Sequence, residues 1–225
     1  MTLPDQTDAA RRPSPLAAAS AVVLEVRDLR FRYPERELFA GLSAAISPGV
    51  TLVRGGDGRG KSTLLRLLAG ALPPDAGELS IRGRSLRDQA KDYRQQVFWT
   101  EPRTEAFDQM TPAHYFDMQR QAYAGFDDGV LAQCVDGLAL APELAKQLFM
   151  LSTGSKRKVW LAAAFASGAP LTLLDMPLAA LDKASAGFVL ALLHDAAADP
   201  TRAFVVADYA APAGVPVAGV MDLGD

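Results

Sequence analysis

The chain has 225 residues, 49% of them hydrophobic, and carries 23 Lys plus Arg against 26 Asp plus Glu for a net charge of -3. That is apolar material enough for one filled core, and the acidic balance excludes the broad basic footprint of a nucleic-acid-binding protein, so no nucleic acid is expected as a partner. No apolar run reaches the roughly 18 residues of a membrane span, and the single cysteine, Cys134, excludes an internal disulfide, so a soluble chain in a reducing cytoplasm is expected.

Residues 1–21 hold Pro4, Pro13, Arg11 and Arg12 among small residues without a period and read as a disordered tail before a single domain over 22–225. From Val22 the chain alternates: Val22, Leu24 and Val26, then Leu29, Phe31 and Tyr33, are interleaved with charged residues and predict strands. Leu42, Ala44 and Ile46 continue the alternation up to the Ser47-Pro48-Gly49 turn, which leads into the apolar run Val50 to Val53. Next comes Gly55-Gly56-Asp57-Gly58-Arg59-Gly60-Lys61-Ser62-Thr63, the spacing G-x-x-x-x-G-K-S. In this pattern Gly55, Gly58 and Gly60 let successive backbone N–H groups turn toward a polyphosphate, Lys61 reaches its outer phosphates, and Ser62 offers a hydroxyl to Mg²⁺. A helix opening at Thr63, with Leu64, Leu65, Leu67, Leu68 and Ala71 at helical spacing, aims its positive end at the same anion. Leu79 and Ile81 predict one more strand.

Between about 103 and 150 the strand signals vanish. Thr111-Pro112 reads as an N-cap followed by proline at the first helical position, a second helix runs through Leu131, Val135 and Leu138, and Ala141-Pro142 starts a short third. His114 and His194 have no ligand-spaced partners and are assigned no metal. Leu151-Ser152-Thr153-Gly154-Ser155-Lys156-Arg157-Lys158 opens a further helix, with Ser152 as its cap and, together with Gly154, a second candidate anion contact. The run Leu171-Thr172-Leu173-Leu174-Asp175 is a buried-strand pattern ending in a carboxylate, as expected of an aspartate that sits with Mg²⁺ beside a phosphate loop.

Taken in order, these motifs resemble the nucleotide-binding domain of ATP-binding cassette (ABC) proteins. GGDGRGKST resembles the family's phosphate loop, LSTGSKRK its signature motif, LTLLD its Walker B strand, and Ala180-Leu181-Asp182 its D-loop. The resemblance implies an α/β fold of P-loop NTPase type: a mixed, mostly parallel core sheet flanked by helices, an antiparallel β layer, and an inserted helical subdomain at about 103–150. It also implies ATP and Mg²⁺ as cofactors, Tyr33 as the aromatic that stacks on adenine, and a head-to-tail homodimer or heterodimer with another ABC domain. In that dimer each ATP lies between one phosphate loop and the partner's Ser152 and Gly154. The resemblance further implies the ATP-binding subunit of an ABC transporter, which closes on Mg-ATP to drive a separate membrane permease and lies in the cytoplasm, held by that permease at the inner face of the membrane.

Three positions depart from the family pattern. Met176 follows Asp175 where a water-orienting glutamate is usual, Glu101 is the nearest match to a glutamine, and Asp208 stands where a histidine is usual. A thioether accepts no proton, so ATP binding by Lys61 and Asp175 is expected to persist while hydrolysis is weak. The alternative function is a non-transport regulatory module that dimerises on nucleotide without useful hydrolysis.

Overall fold

The computed structural model describes residues 22–224; the tail expected over 1–21 lies outside the described residues. Two sheets form the frame. The first is antiparallel, in the order β2-β1-β4-β5, from β1 (Leu24–Tyr33), β2 (Arg36–Ile46), β4 (Ala76–Ile81) and β5 (Arg84–Ser85). The second runs in the order β6-β7-β8-β3-β9, from β3 (Gly49–Arg54), β6 (Val97–Trp99), β7 (Leu171–Asp175), β8 (Ala203–Ala207) and β9 (Gly219–Asp222). All of its pairings are parallel, so antiparallel pairing is confined to the first sheet.

The two halves of β1 expected from Val22 to Tyr33 are one strand. Its apolar residues change phase between Val26 and Leu29, and the strand absorbs that change with a register shift at Asp28, whose φ is 50°. Strands β3, β7 and β8 are buried on both faces, which explains their near-continuous apolar runs. Alternate residues serve two cores: Val53, Leu171, Leu173 and Val205 pack toward the antiparallel sheet and α1 (Lys61–Leu68), while Val50, Leu174, Phe204 and Val206 pack toward the later helices.

A short helix α2 (Ala90–Arg94) precedes β6. Between β6 and β7 the described chain contains no strand; it holds α3 (Pro112–Ala122), α4 (Asp128–Gly137), two 3₁₀ turns and α5 (Thr153–Ala166). Thr111 caps α3 by accepting from the His114 N–H at 3.2 Å, and Asp127 caps α4 through the N–H groups of Gly129 and Val130. The expected third helix is a 3₁₀ turn at Ala141–Glu143. Helix α6 (Lys183–Ala197) returns the chain to β8, capped by Asp182, which accepts from the Ser185 N–H at 2.9 Å.

Candidate functional site

Parallel strands gather their C-terminal ends on one edge, where loops from different strands converge. In this sheet β8 lies between β3 and β7, and Ala207 pairs in register with both Val53 and Asp175. The loop after β3, the carboxylate ending β7 and the residues following β8 therefore meet at one level. A cleft of about 370 Å³ opens there, lined by Tyr33, Arg36, Leu38, residues 57–63, Asp175, Met176 and Tyr209.

The glycine-rich loop has the backbone that its sequence demands. Gly60 adopts φ 95° and forms the N-cap of α1 with no side-chain cap, which leaves the first N–H groups of the helix to an anion. The helix opens at Lys61, earlier than the expected Thr63, because Gly60 already accepts the Leu64 N–H at 2.7 Å. Lys61 is 8% exposed, and its Nζ donates to the carbonyls of Gly55 at 2.6 Å and Gly56 at 3.0 Å. Arg36 on β2 steadies the loop from outside, Nη1 donating to Gly58 O at 3.0 Å.

Asp175 and Ser62 both line the cleft, and the Ser62 hydroxyl favours the ionised carboxylate. Burial raises the Asp175 pKa; the Ser62 hydroxyl, Arg157 and Lys61 oppose that shift, and Asp208 adds to it. Tyr33 lies beside Thr63, with hydroxyl oxygens 3.3 Å apart, and its ring packs edge-on against Phe31 while remaining 39% exposed. An aromatic face thus stands at the mouth of the phosphate loop, as stacking on a base requires.

These residues fit Mg-ATP. The lysine and the uncapped helix supply positive charge, Ser62 and Asp175 supply hard oxygen donors for Mg²⁺, and a carboxylate whose pKa is raised by burial is stabilised by a cation. The bound nucleotide would bring the phosphoanhydride whose cleavage powers such proteins.

Met176 lines the cleft as expected, at the left-handed φ of 46°, its N–H donating to Ala207 O at 2.9 Å and its carbonyl accepting from Arg157 Nη1. Asp208 is close enough to Asp175 to raise its pKa, yet the residue of that loop that lines the cleft is Tyr209. Glu101 is exposed and follows β6, and its neighbours Thr100 and Pro102 line a small pocket together with Arg157 and Asp175. Ser152 and Gly154 are not among the residues that line their own chain's cleft. Ser152 accepts from the Ser155 N–H at 3.1 Å to cap α5, and a Cβ on Gly154 would come within 2.5 Å of Ala180 O, so only glycine allows that approach to the D-loop.

Sequence reading missed Tyr209, Arg36 and Arg157. The Tyr209 hydroxyl donates to Asp57 Oδ1, which raises its pKa, and Lys61 Nζ stands 4.3 Å from the centre of its ring. Among the described residues no His, Cys, Asp and Glu cluster is suited to hold a metal unaided, and no helix is long and apolar enough to cross a membrane.

The chain is similar to known proteins in sequence and in fold. The cytochrome c biogenesis ATP-binding export protein CcmA of Dechloromonas aromatica (strain RCB) is 35% identical over 179 residues, 76% of this chain and 85% of that protein. Its counterpart in Escherichia coli (strain K12) is 34% identical over 164 residues, covering 71% and 76%. Among solved structures, an ATP-binding subunit of an ABC transporter superposes with a TM-score of 0.73 at 23% identity, covering 82% of this chain and 79% of that one. A bacterial Atm1-family ABC exporter with ATP bound gives 0.69 at 21%, covering 84% of this chain and 35% of the exporter; both likenesses establish the fold. Residues 39–179 match the ABC transporter family, so the chain belongs to that family, as an ATP-binding subunit.

Proposed function

We propose that this chain binds Mg-ATP in the cleft between the glycine-rich loop and Asp175 and uses it to drive a separate membrane permease. The observation that carries the reading is the convergence of Lys61 and Ser62, at the start of α1, with Asp175, at the end of β7, on one cleft. Each residue then has a role in binding: Lys61 neutralises phosphate charge, Ser62 and Asp175 hold Mg²⁺, and Tyr33 offers a stacking face. Ser152 and Gly154 stand at the start of α5, outside the lining of their own chain's cleft, which suits contact with nucleotide on a second cassette in a homodimer or heterodimer. The similarity to ATP-binding export proteins of cytochrome c biogenesis supports export, in service of cytochrome c maturation, from a station at the inner face of the membrane.

Hydrolysis by the chain alone is slow on this reading. Met176 cannot accept a proton, and Asp208 places negative charge near Asp175. Met176 equally favours a second reading, a regulatory module that dimerises on nucleotide without driving transport. Calorimetric titration tests binding: Lys61→Ala should weaken Mg-ATP affinity by about tenfold or more, the scale of losing one charge partner in a desolvated site. Matching isotherms for the two proteins refute the assignment. Recovery of the chain with a multispanning membrane protein from detergent extracts favours transport, and recovery of only soluble cassettes favours the regulatory module.

A further inference from the structure

Tyr209 makes two contacts within the cleft. It follows β8 by two residues, is half-exposed, and reaches over the glycine-rich loop to donate its hydroxyl to Asp57 while its ring faces Lys61 Nζ at 4.3 Å. The Lys61 ammonium has three N–H donors; carbonyls of Gly55 and Gly56 accept from it, and the tyrosine face lies against it from a further direction. The loop therefore holds its lysine with contacts drawn wholly from the protein.

A phosphate must reach that same ammonium, and a π face is a weaker partner for a cation than a phosphate oxygen is. Asp57 adds to the contrast. Its carboxylate stands in the loop that would surround phosphate, and the Tyr209 hydroxyl ties it to the ring that covers Lys61. Resting on the nucleotide-binding reading above, we propose that Tyr209 is an affinity-setting residue: it occupies the phosphate side of Lys61, anchored by Asp57, and nucleotide binds by displacing it. The tyrosine thereby competes with ATP within the chain and limits affinity to nucleotide present at sufficient concentration.

The test compares Tyr209→Phe, Tyr209→Ala, Asp57→Ala and the Asp57→Ala/Tyr209→Phe pair with the wild type, using a fluorescent ATP analogue. Tyr209→Ala should tighten binding by about fivefold to thirtyfold, the scale of one exposed cation–π contact plus one partly screened hydrogen bond to a carboxylate. Tyr209→Phe keeps the ring and should give an intermediate gain, which disappears when Asp57 is already alanine because the hydroxyl acts through that carboxylate. A second readout needs no nucleotide: acylation of Lys61 by a water-soluble amine-reactive ester, followed by peptide mass analysis, should be faster in Tyr209→Ala than in the wild type. Unchanged acylation, or equal or weaker analogue binding by Tyr209→Ala, overturns the proposal. Equal analogue binding by the wild type and Lys61→Ala instead overturns the nucleotide reading, and the acylation rates then decide the Tyr209 contact by themselves.

Discussion

Replacing Met176 with glutamate tests whether chemistry in this cleft is limited by the missing base. The backbone of Met176 is fixed by groups that any residue retains: its N–H donates to Ala207 O at 2.9 Å, and its carbonyl accepts from Arg157. Its φ of 46° strains methionine and glutamate alike, since both carry an unbranched Cβ. The substitution therefore exchanges a thioether for a carboxylate at a held Cα position, one residue beyond Asp175. General-base assistance is worth about 10²- to 10⁴-fold, or roughly 3 to 5 kcal/mol of barrier. Local charge favours the lower end. Asp208 already raises the Asp175 pKa, and a third carboxylate adds like-charge repulsion. We expect Met176→Glu to raise turnover by about 10²-fold, and Met176→Glu with Asp208→His to exceed either change alone. The assay is phosphate release at saturating Mg-ATP, with Lys61→Ala as background and affinity measured separately. A wild-type rate above about 1 s⁻¹, within the ordinary enzyme range, or a Met176→Glu rate no faster than wild type, refutes the reasoning.

Two further predictions concern stability. Gly154→Ala would bring a Cβ within 2.5 Å of the Ala180 carbonyl oxygen and should lower unfolding free energy in nucleotide-free denaturant titrations by about 1–3 kcal/mol, as overpacking does; an unchanged midpoint defeats the assigned contact. Arg202 is a partly buried cation that donates to the carbonyls of Ala169 at 3.0 Å, Phe165 at 3.1 Å and Ala164 at 3.3 Å, closing the end of α5, so Arg202→Met should destabilise by about 3 kcal/mol, and a loss under about 1 kcal/mol would deny it that capping role.

The parts of this molecule legible in the sequence are those whose chemistry is local. The glycine-rich loop declares itself because turn, lysine and hydroxyl fall within consecutive residues, and Asp175 because a strand buried on both faces ends in a charge that needs a partner. The caps Thr111 and Ser152 act within one helical turn and stand where the sequence placed them. Local signals misled where one irregularity served two segments. The phase change after Val26 suggested separate strands, whereas a single backbone distortion at Asp28 keeps β1 continuous across the change.

Strand order decides the rest, and strand order is a long-range property. Placing β8 between β3 and β7 sets the loop after Ala207 between the phosphate loop and Asp175, so that position, more than residue chemistry, makes Tyr209 a neighbour of Lys61 and Asp57. The same order sets β6 directly beside β7, Trp99 pairing with Leu173, so the residues after β6 approach Asp175. Arg157 extends the point to a helix. It lies in the signature segment yet touches Met176 O, because α5 packs on the sheet face beside β7, linking the helix whose start suits a partner's nucleotide to the turn that carries this chain's own Asp175 and Met176. A contact at Ser152 and a change at Met176 are thus joined by one rigid helix and one guanidinium. On the proposed function, that geometry would give pairing of two cassettes a direct physical route to the chemistry of each.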